Sequence, residues 1–239
     1  MKAYVCVDLE MTGFNPKTDR ILEIGAVKVI DGEIVEHFKE LVNPYRMLSQ
    51  EIIDLTGITD EIAKSGSPDW DVVQRFLQFA KDFPYVGHHI ISDVAFLKQC
   101  AMNHKMPLQI MAIDTLKIAR KFLPQEQKKS LGELGKYYGI NTNQRHRAYD
   151  DAVLTFEVME KLIKSYEYDY PEMFVPKEIM YQVKKQGPLT VAQEKQIKVL
   201  IKYHQIELSN EPTKMTRNEA SRFIDKIILQ YGRIPLDGV

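Results

Sequence analysis

Residues 3–42 constrain the fold more than any other stretch, because they read as three strands in direct succession. Ala3-Tyr4-Val5-Cys6-Val7 is a short β-rich run that ends in an acidic pair, Asp8 and Glu10. A turn-rich segment, Gly13-Phe14-Asn15-Pro16-Lys17, separates it from two further strand patterns, Ile21 to Ile30 and Ile34 to Val42. These two meet at Asp31-Gly32, a two-residue hairpin signal. Beyond Asn43-Pro44 the pattern changes, and strands begin to alternate with helices. A meander followed by that alternation implies an α/β fold with a mixed sheet covered by helices.

The later elements carry local signals. Ser49 opens a short helix that ends near Gly57, and Ser67 is placed as the N-cap of a helix with Pro68 at its first position. That helix carries Trp70, Val73, Phe76, Leu77 and Ala80 at helical spacing. Tyr85-Val86-Gly87 and Gln109 to Ile113 read as short strands, and Ser92 caps a helix running to about Asn103. Asp114-Thr115 begins another helix, Ser130 and Glu133 form a capping-box pattern before a helix that stops at Gly139, and a longer helix spans roughly 147–165. Residues 166–188 are rich in Tyr and Pro and read as a linker with one helix between Pro176 and Gly187. Thr190-x-x-Gln193 and Thr216-x-x-Glu219 are two more capping boxes, so residues 189–239 read as a small helical module. It is too small to bury a comfortable core alone and is expected to dock on the body or on a partner.

Composition narrows the class of protein. The chain has 239 residues, 44% hydrophobic and 27% charged, as an ordinary globular protein does. No apolar stretch approaches the roughly 18 residues of a membrane span, and the start lacks a secretory signal core, so a reducing cytoplasm is expected. Cys6 and Cys100 lack the spacing of a metal site, and Cys6 reads as a buried small hydrophobe. The net charge of −1 hides an asymmetry: residues 177–239 carry 11 Lys/Arg against 7 Asp/Glu, a net of +4. A basic tail on an acidic body suits a metal-dependent enzyme whose tail touches phosphates, although two solvated helix faces explain the charge equally well. Lys195, Lys198 and Lys202 share one helix face and form a basic stripe that could neutralise about three phosphates.

The chemistry lies in three acidic stretches. Asp8 and Glu10 are two apart on a strand and leave the same face, where two like charges repel unless a hard divalent cation is bound. Asp93 follows Ser92 at a helix start, and Asp150 and Asp151 sit in the first turn of the helix that His146 precedes. Taken singly, these residues are a strand end, two favourable helix-dipole positions and a loop histidine.

Together they resemble a known family. VDLEMTG, GHHISDVAFL and HRAYDDAVLT are similar to the three motifs of the DEDDh 3′–5′ exonucleases, the DnaQ-like family typified by proofreading epsilon subunits. RILEIGAVKV, LVNP, EIIDLTGITDEI and IDTLKIAR between the motifs resemble it too, so the likeness covers roughly residues 1–165. The resemblance implies a ribonuclease H-like, five-stranded mixed sheet flanked by helices. It also implies that Asp8, Glu10, Asp93 and Asp151 hold two Mg²⁺ or Mn²⁺ ions, with His146 as the general base. The family pattern His-x-Ala-x-x-Asp selects Asp151 over Asp150, and Arg147 stands where the tyrosine subclass needs Tyr.

Two departures bear on the substrate: Met11 stands for the first of two threonines, and His89 and Ser92 replace an Asn and a Phe of the second motif. Met11, Thr12, His88 and His89 are the residues expected near the 3′-terminal nucleotide, with Thr12 offering a hydroxyl or a backbone N–H, although a structural role suits His88 as well. The expected activity is release of nucleoside monophosphates from single-stranded or frayed 3′ DNA ends in proofreading, repair or end trimming. A DNA polymerase or another replication or repair protein is the expected partner for proofreading. An RNA-trimming exonuclease of the same family and a non-catalytic nucleic-acid-binding or replisome-docking protein are the alternatives.

Overall fold

The two-residue period of the first strand divides the core of the protein in two. The computed structural model describes residues 2–141, 147–183, 187–206 and 215–234. β1 (Ala3–Met11), β2 (Ile21–Ile30) and β3 (Glu33–Leu41) form the expected antiparallel meander. Asp31 and Gly32 turn the second hairpin with φ of 49° and 81°, the positive values that a primed two-residue turn requires. Two short helices, α1 (Gln50–Thr56) and α2 (Asp60–Lys64), lead into α3 (Asp69–Phe79). β4 (Tyr85–Gly87), α4 (Ile91–Asn103), β5 (Met111–Asp114) and α5 (Thr115–Phe122) follow in alternation. Next come α6 (Leu131–Tyr137) and the long α7 (Ala148–Tyr166).

On β1, Val5, Val7 and Leu9 face one apolar cluster, shared with Ile24 and Ala26 of β2, Val72, Val73 and Phe76 of α3, and Val94 and Leu97 of α4. Tyr4 and Cys6 face the other, shared with Val27, Val29, Leu134, Val158, Met159 and Leu162. Asp8 and Glu10 continue the second row, the one that α7 covers. Where apolar packing ends on that face, the acidic pair begins.

β4 and β5 add to β1 in parallel. The described sheet then gains a sixth strand, β6 (Lys177–Glu178), antiparallel to β5, in the order β3-β2-β1-β4-β5-β6. This corrects the reading of the Tyr/Pro-rich segment. Among the described residues between Pro176 and Gly187 there is no helix; a turn of 3₁₀ helix at Pro171–Met173 precedes β6 instead. The cause is the open edge of β5: Ile179 is buried, its N–H donates to Ile110 O, and its carbonyl accepts from Lys98 Nζ at 2.7 Å.

Three caps differ from expectation for similar reasons. Ser67 is not the N-cap of α3, which starts after Pro68, because Ser67 makes a bridge to Val42 and donates its N–H to Leu41 O. Ser92 lies inside α4, whose cap position is Ile90, and its hydroxyl meets His89 Nδ1. Ser130 does cap α6 in position, but no side-chain bond forms and Glu133 pairs with Lys136. The two C-terminal capping boxes are present as read. They open α8 (Val191–His204) and α9 (Arg217–Tyr231), which pack on each other around Ile197, Leu200, Ala220, Ile224 and Ile227. No helix among the described residues is long and apolar enough to cross a membrane.

Gly25 positions the site. It lies opposite Asp8 in the β1–β2 ladder, and a Cβ there would fall 2.0 Å from Tyr149 N and 2.1 Å from the Ala148 carbonyl carbon. The first turn of α7 therefore rests directly on the β2 backbone, and only glycine permits that distance. Gly25→Ala is expected to lower unfolding free energy in urea by about 3 kcal/mol, the upper end of overpacking costs, because backbone atoms cannot move aside. Gly132, within α6 and with nothing within 4 Å of an added Cβ, is the control. Its replacement by Ala should gain about 0.5–1 kcal/mol.

Candidate active site

Close approach of α7 to the sheet brings the last acidic stretch onto the first. Carboxylate oxygens of Asp8, Glu10 and Asp151 lie within 4.8 Å of one another, close enough for one cation to touch all three. Asp93, in the first turn of α4, is not in that trio. Its Oδ1 accepts the Leu9 N–H at 3.1 Å, which ties the helix start to β1 between the two acidic residues. His146 lies outside the described residues.

The pocket is short of solvent and crowded with like charge. Burial, and after it the charges of Asp93, Asp151, Glu10 and Glu23, push Asp8 well above the carboxylate range. Burial, then Asp151, Glu23 and Asp93, raise Glu10 to about 8, with Arg147 opposing. Asp93 is raised to about 7, mainly by burial, against the two backbone hydrogen bonds that favour its charged form. Such a cluster holds protons or a cation at neutral pH. An all-oxygen, multi-carboxylate donor set fits hard divalent ions.

Two features escaped the sequence reading. Glu23, paired in register with Glu10 on β2, is 0% exposed and receives Arg147 through two hydrogen bonds of 2.9 and 2.6 Å. It also accepts the Ala148 N–H at 3.1 Å, so it anchors the first turn of α7 as well as the residue before it. Its signal was a lone carboxylate inside an otherwise apolar strand. The other feature is Phe14, 98% exposed in the loop that leaves β1 beside the acidic pair. Asp19 closes that loop by accepting the Asn15 N–H.

The four residues expected near a terminal nucleotide divide. Met11 is partly buried against the core. Thr12 spends its N–H on Arg20 O and accepts the Arg20 N–H on its hydroxyl, which leaves the hydroxyl proton to donate. His88 is occupied within the protein: Nε2 lies 2.7 Å from Lys129 O and must donate there, and Nδ1 lies 2.9 Å from Thr115 Oγ1. Burial lowers its pKa, as befits a neutral structural ring. His89 is exposed at the start of α4, with φ of 62° and its N–H on Asp114 Oδ1.

The RNase T family model, described as an exonuclease, matches residues 5–159. The chain belongs to this exonuclease family. The epsilon subunit of DNA polymerase III from Aquifex aeolicus is 34% identical over 70% of the chain and 83% of its own length. A PolC-type DNA polymerase III from Clostridium perfringens is 39% identical over 66% of the chain, which spans only 11% of that protein. Among solved structures, exonuclease X bound to duplex DNA with a 5′ overhang is 26% identical, with a TM-score of 0.57 over 71% of this chain and 96% of that one. The nuclease domain of 3′hExo, a DEDDh member bound to rAMP, is 19% identical with a TM-score of 0.60, over 69% of this chain and 93% of that one. The mixed sheet with flanking helices is the ribonuclease H-like fold of this exonuclease family, as expected.

The cluster also ties stability to pH. Glu10 has a folded pKa of about 8 against an ordinary 4.5, so the folded state binds the extra proton. That contribution is complete below about pH 4.5 and is lost as pH rises through about 8. In EDTA the thermal midpoint should therefore fall across this window, and Mg²⁺ or Mn²⁺ should restore it most at the alkaline end. A pH dependence unchanged in an Asp8→Asn/Glu10→Gln double variant would place its source elsewhere.

Proposed function

We propose that this exonuclease removes nucleoside monophosphates from single-stranded or frayed 3′ DNA ends, working in the 3′→5′ direction. The observation that carries the reading is the convergence of Asp8, Glu10 and Asp151 within 4.8 Å, with Asp93 bound to the same strand. Asp8, Glu10, Asp93 and Asp151 would hold two Mg²⁺ or Mn²⁺ ions. When bound, the ions would supply Lewis-acid stabilisation of charge at the scissile phosphate and a more acidic water. The protons that the cluster carries without metal leave the carboxylates as cations arrive.

His146, two residues before Ala148 in the sequence, takes a proton from the attacking water on an imidazole nitrogen, the general-base role for which imidazole is the usual side chain near neutral pH. Thr12 offers its hydroxyl proton to the 3′ end, and His89 lies at the open start of α4. Phe14 supplies an aromatic face that a terminal base can stack on, worth about 1–3 kcal/mol per base. DNA as substrate is supported by the relatives that are named as parts of DNA polymerase III and by exonuclease X, solved with duplex DNA. The same relatives support proofreading beside a DNA polymerase as the setting, with repair and end trimming as the other settings.

The test is degradation of 5′-labelled single strands of DNA and of RNA with Mg²⁺, Mn²⁺ or EDTA. Stepwise shortening of DNA that stops in EDTA is expected. Faster RNA shortening would reassign the substrate, and binding without shortening would make the chain a nucleic-acid-binding protein. His146→Ala should slow hydrolysis by about 10²-fold or more with DNA affinity nearly intact. A loss of binding as large as the loss of rate would remove His146 from proton transfer. Phe14→Ala should raise KM about 5- to 160-fold on single strands, in keeping with one lost stacking contact, and leave the metal dependence of the rate unchanged.

A further inference from the structure

A second cluster of ligand atoms lies on the α3/α4 side of the sheet, apart from the acidic trio. The Asp69 carboxylate, the Cys100 thiol and a ring nitrogen of His104 lie within 4.8 Å of one another. Cys100 lies in the last turn of α4 and His104, four residues on, is the C-cap of that helix, while Asp69 is the first residue of α3. We propose that Asp69, Cys100 and His104 form a binding site for a borderline-soft divalent cation, with Zn²⁺ the fitting occupant.

Each donor is held in place. The Trp70 N–H takes Asp69 Oδ1 at 2.9 Å, which leaves Oδ2 to turn towards the cluster. The Trp70 indole stacks on the His104 ring at 4.6 Å and 7°, fixing its plane. Burial lowers the His104 pKa, which favours the uncharged ring whose nitrogen can donate a lone pair. The Cys100 thiol is buried and hydrogen-bonded to Asp69, and its proton leaves to solvent as the cation takes its place.

An independent observation comes from Gln99. It is 1% exposed, its Oε1 has no hydrogen-bond partner among the described residues, and it lines the same small cavity, about 20 Å³, as Asp69 and Cys100. An unpartnered buried oxygen lining that cavity has its lone pairs unspent, as a ligand water or a cation at the cluster would require. One thiolate, one carboxylate and one imidazole give a neutral zinc site of tetrahedral type, chemically unlike the all-oxygen acidic trio. Arg222 of α9 now faces Asp69 Oδ2 at 3.6 Å, too long for a hydrogen bond. Cation and guanidinium therefore compete for one carboxylate.

Co²⁺ as a spectroscopic stand-in for Zn²⁺ tests this on the full chain. A thiolate-to-metal charge-transfer band should grow to one equivalent and be displaced by Zn²⁺ but not by Mg²⁺. Cys100→Ser should abolish it, and His104→Gln, an exposed position that need not disturb folding, should weaken binding by at least about tenfold. Arg222→Met should tighten binding by about tenfold, because a competing charge is removed. Both ligand variants should keep Mg²⁺-dependent nuclease activity, since neither touches the acidic trio. Absence of the band, or its persistence in His104→Gln with unchanged affinity, would overturn the proposal.

Discussion

The contact between the first turn of α7 and the backbone of β2 at Gly25 sets the geometry of everything chemical in this protein. β1 brings two carboxylates to one face of the sheet, but a strand alone cannot add a third from Asp151, 143 positions beyond Asp8 in sequence. Gly25 lets α7 descend until Ala148 and Tyr149 touch the strand, and Glu23 holds it there by accepting the Ala148 N–H. One turn further along the helix, Asp151 then falls beside Asp8 and Glu10. On the opposite side, the Leu9 N–H fixes Asp93. Two helix N-termini thus converge on one strand, and their dipoles favour the negative charge gathered between them.

That convergence is electrostatically costly without a cation. Burial is the main reason that Asp8, Glu10 and Asp93 all hold protons more tightly than free carboxylates do, and at Asp8 and Glu10 the neighbouring carboxylates, Glu23 included, add repulsion to it. Arg147 offsets part of this, yet two of its N–H groups are spent on Glu23. The protein is therefore built around a charge deficit that protons fill poorly and divalent ions fill well. The apolar rows behind the cluster keep the deficit in place: Tyr4 and Cys6 precede Asp8 on the same face and are wholly buried.

Much of this was legible because the informative signals are local. The meander, the Asp31-Gly32 turn and the two C-terminal capping boxes each depend on a few neighbouring residues, and each is present. The acidic residues were legible only as an ordered set, since each one alone suits a strand end or a helix start. What could not be read depends on partners far along the chain. Ser67 lost its cap to a bridge with Val42, and the segment after Pro176 became a strand because β5 offered an open edge. Glu23 reads as a stray charge until Arg147, 124 residues later, returns to it. Cys100 and His104 stand four apart, but nothing near them in sequence supplies a third ligand: the partner they meet, Asp69, arrives from another helix.

The C-terminal helices show how differently the two parts of the chain are held. α8 and α9 form their own small apolar cluster, and much of what joins them to the body is polar. Arg20 reaches Asp225 at 3.4 Å, Arg222 reaches Asp69 at 3.6 Å, and Lys226 lies over the Tyr45 ring at 5.2 Å. Long ion pairs of this kind are worth little individually, about 0–1 kcal/mol, and salt weakens them further. The join also leaves Arg20 Nε buried without a hydrogen-bond partner among the described residues, a cost that subtracts from the gain. The described polar contacts of the helix pair with the body are therefore weak one by one. Arg20, which makes the pair to Asp225, also closes the loop beyond β1: its N–H donates to the Thr12 hydroxyl and its carbonyl accepts the Thr12 N–H.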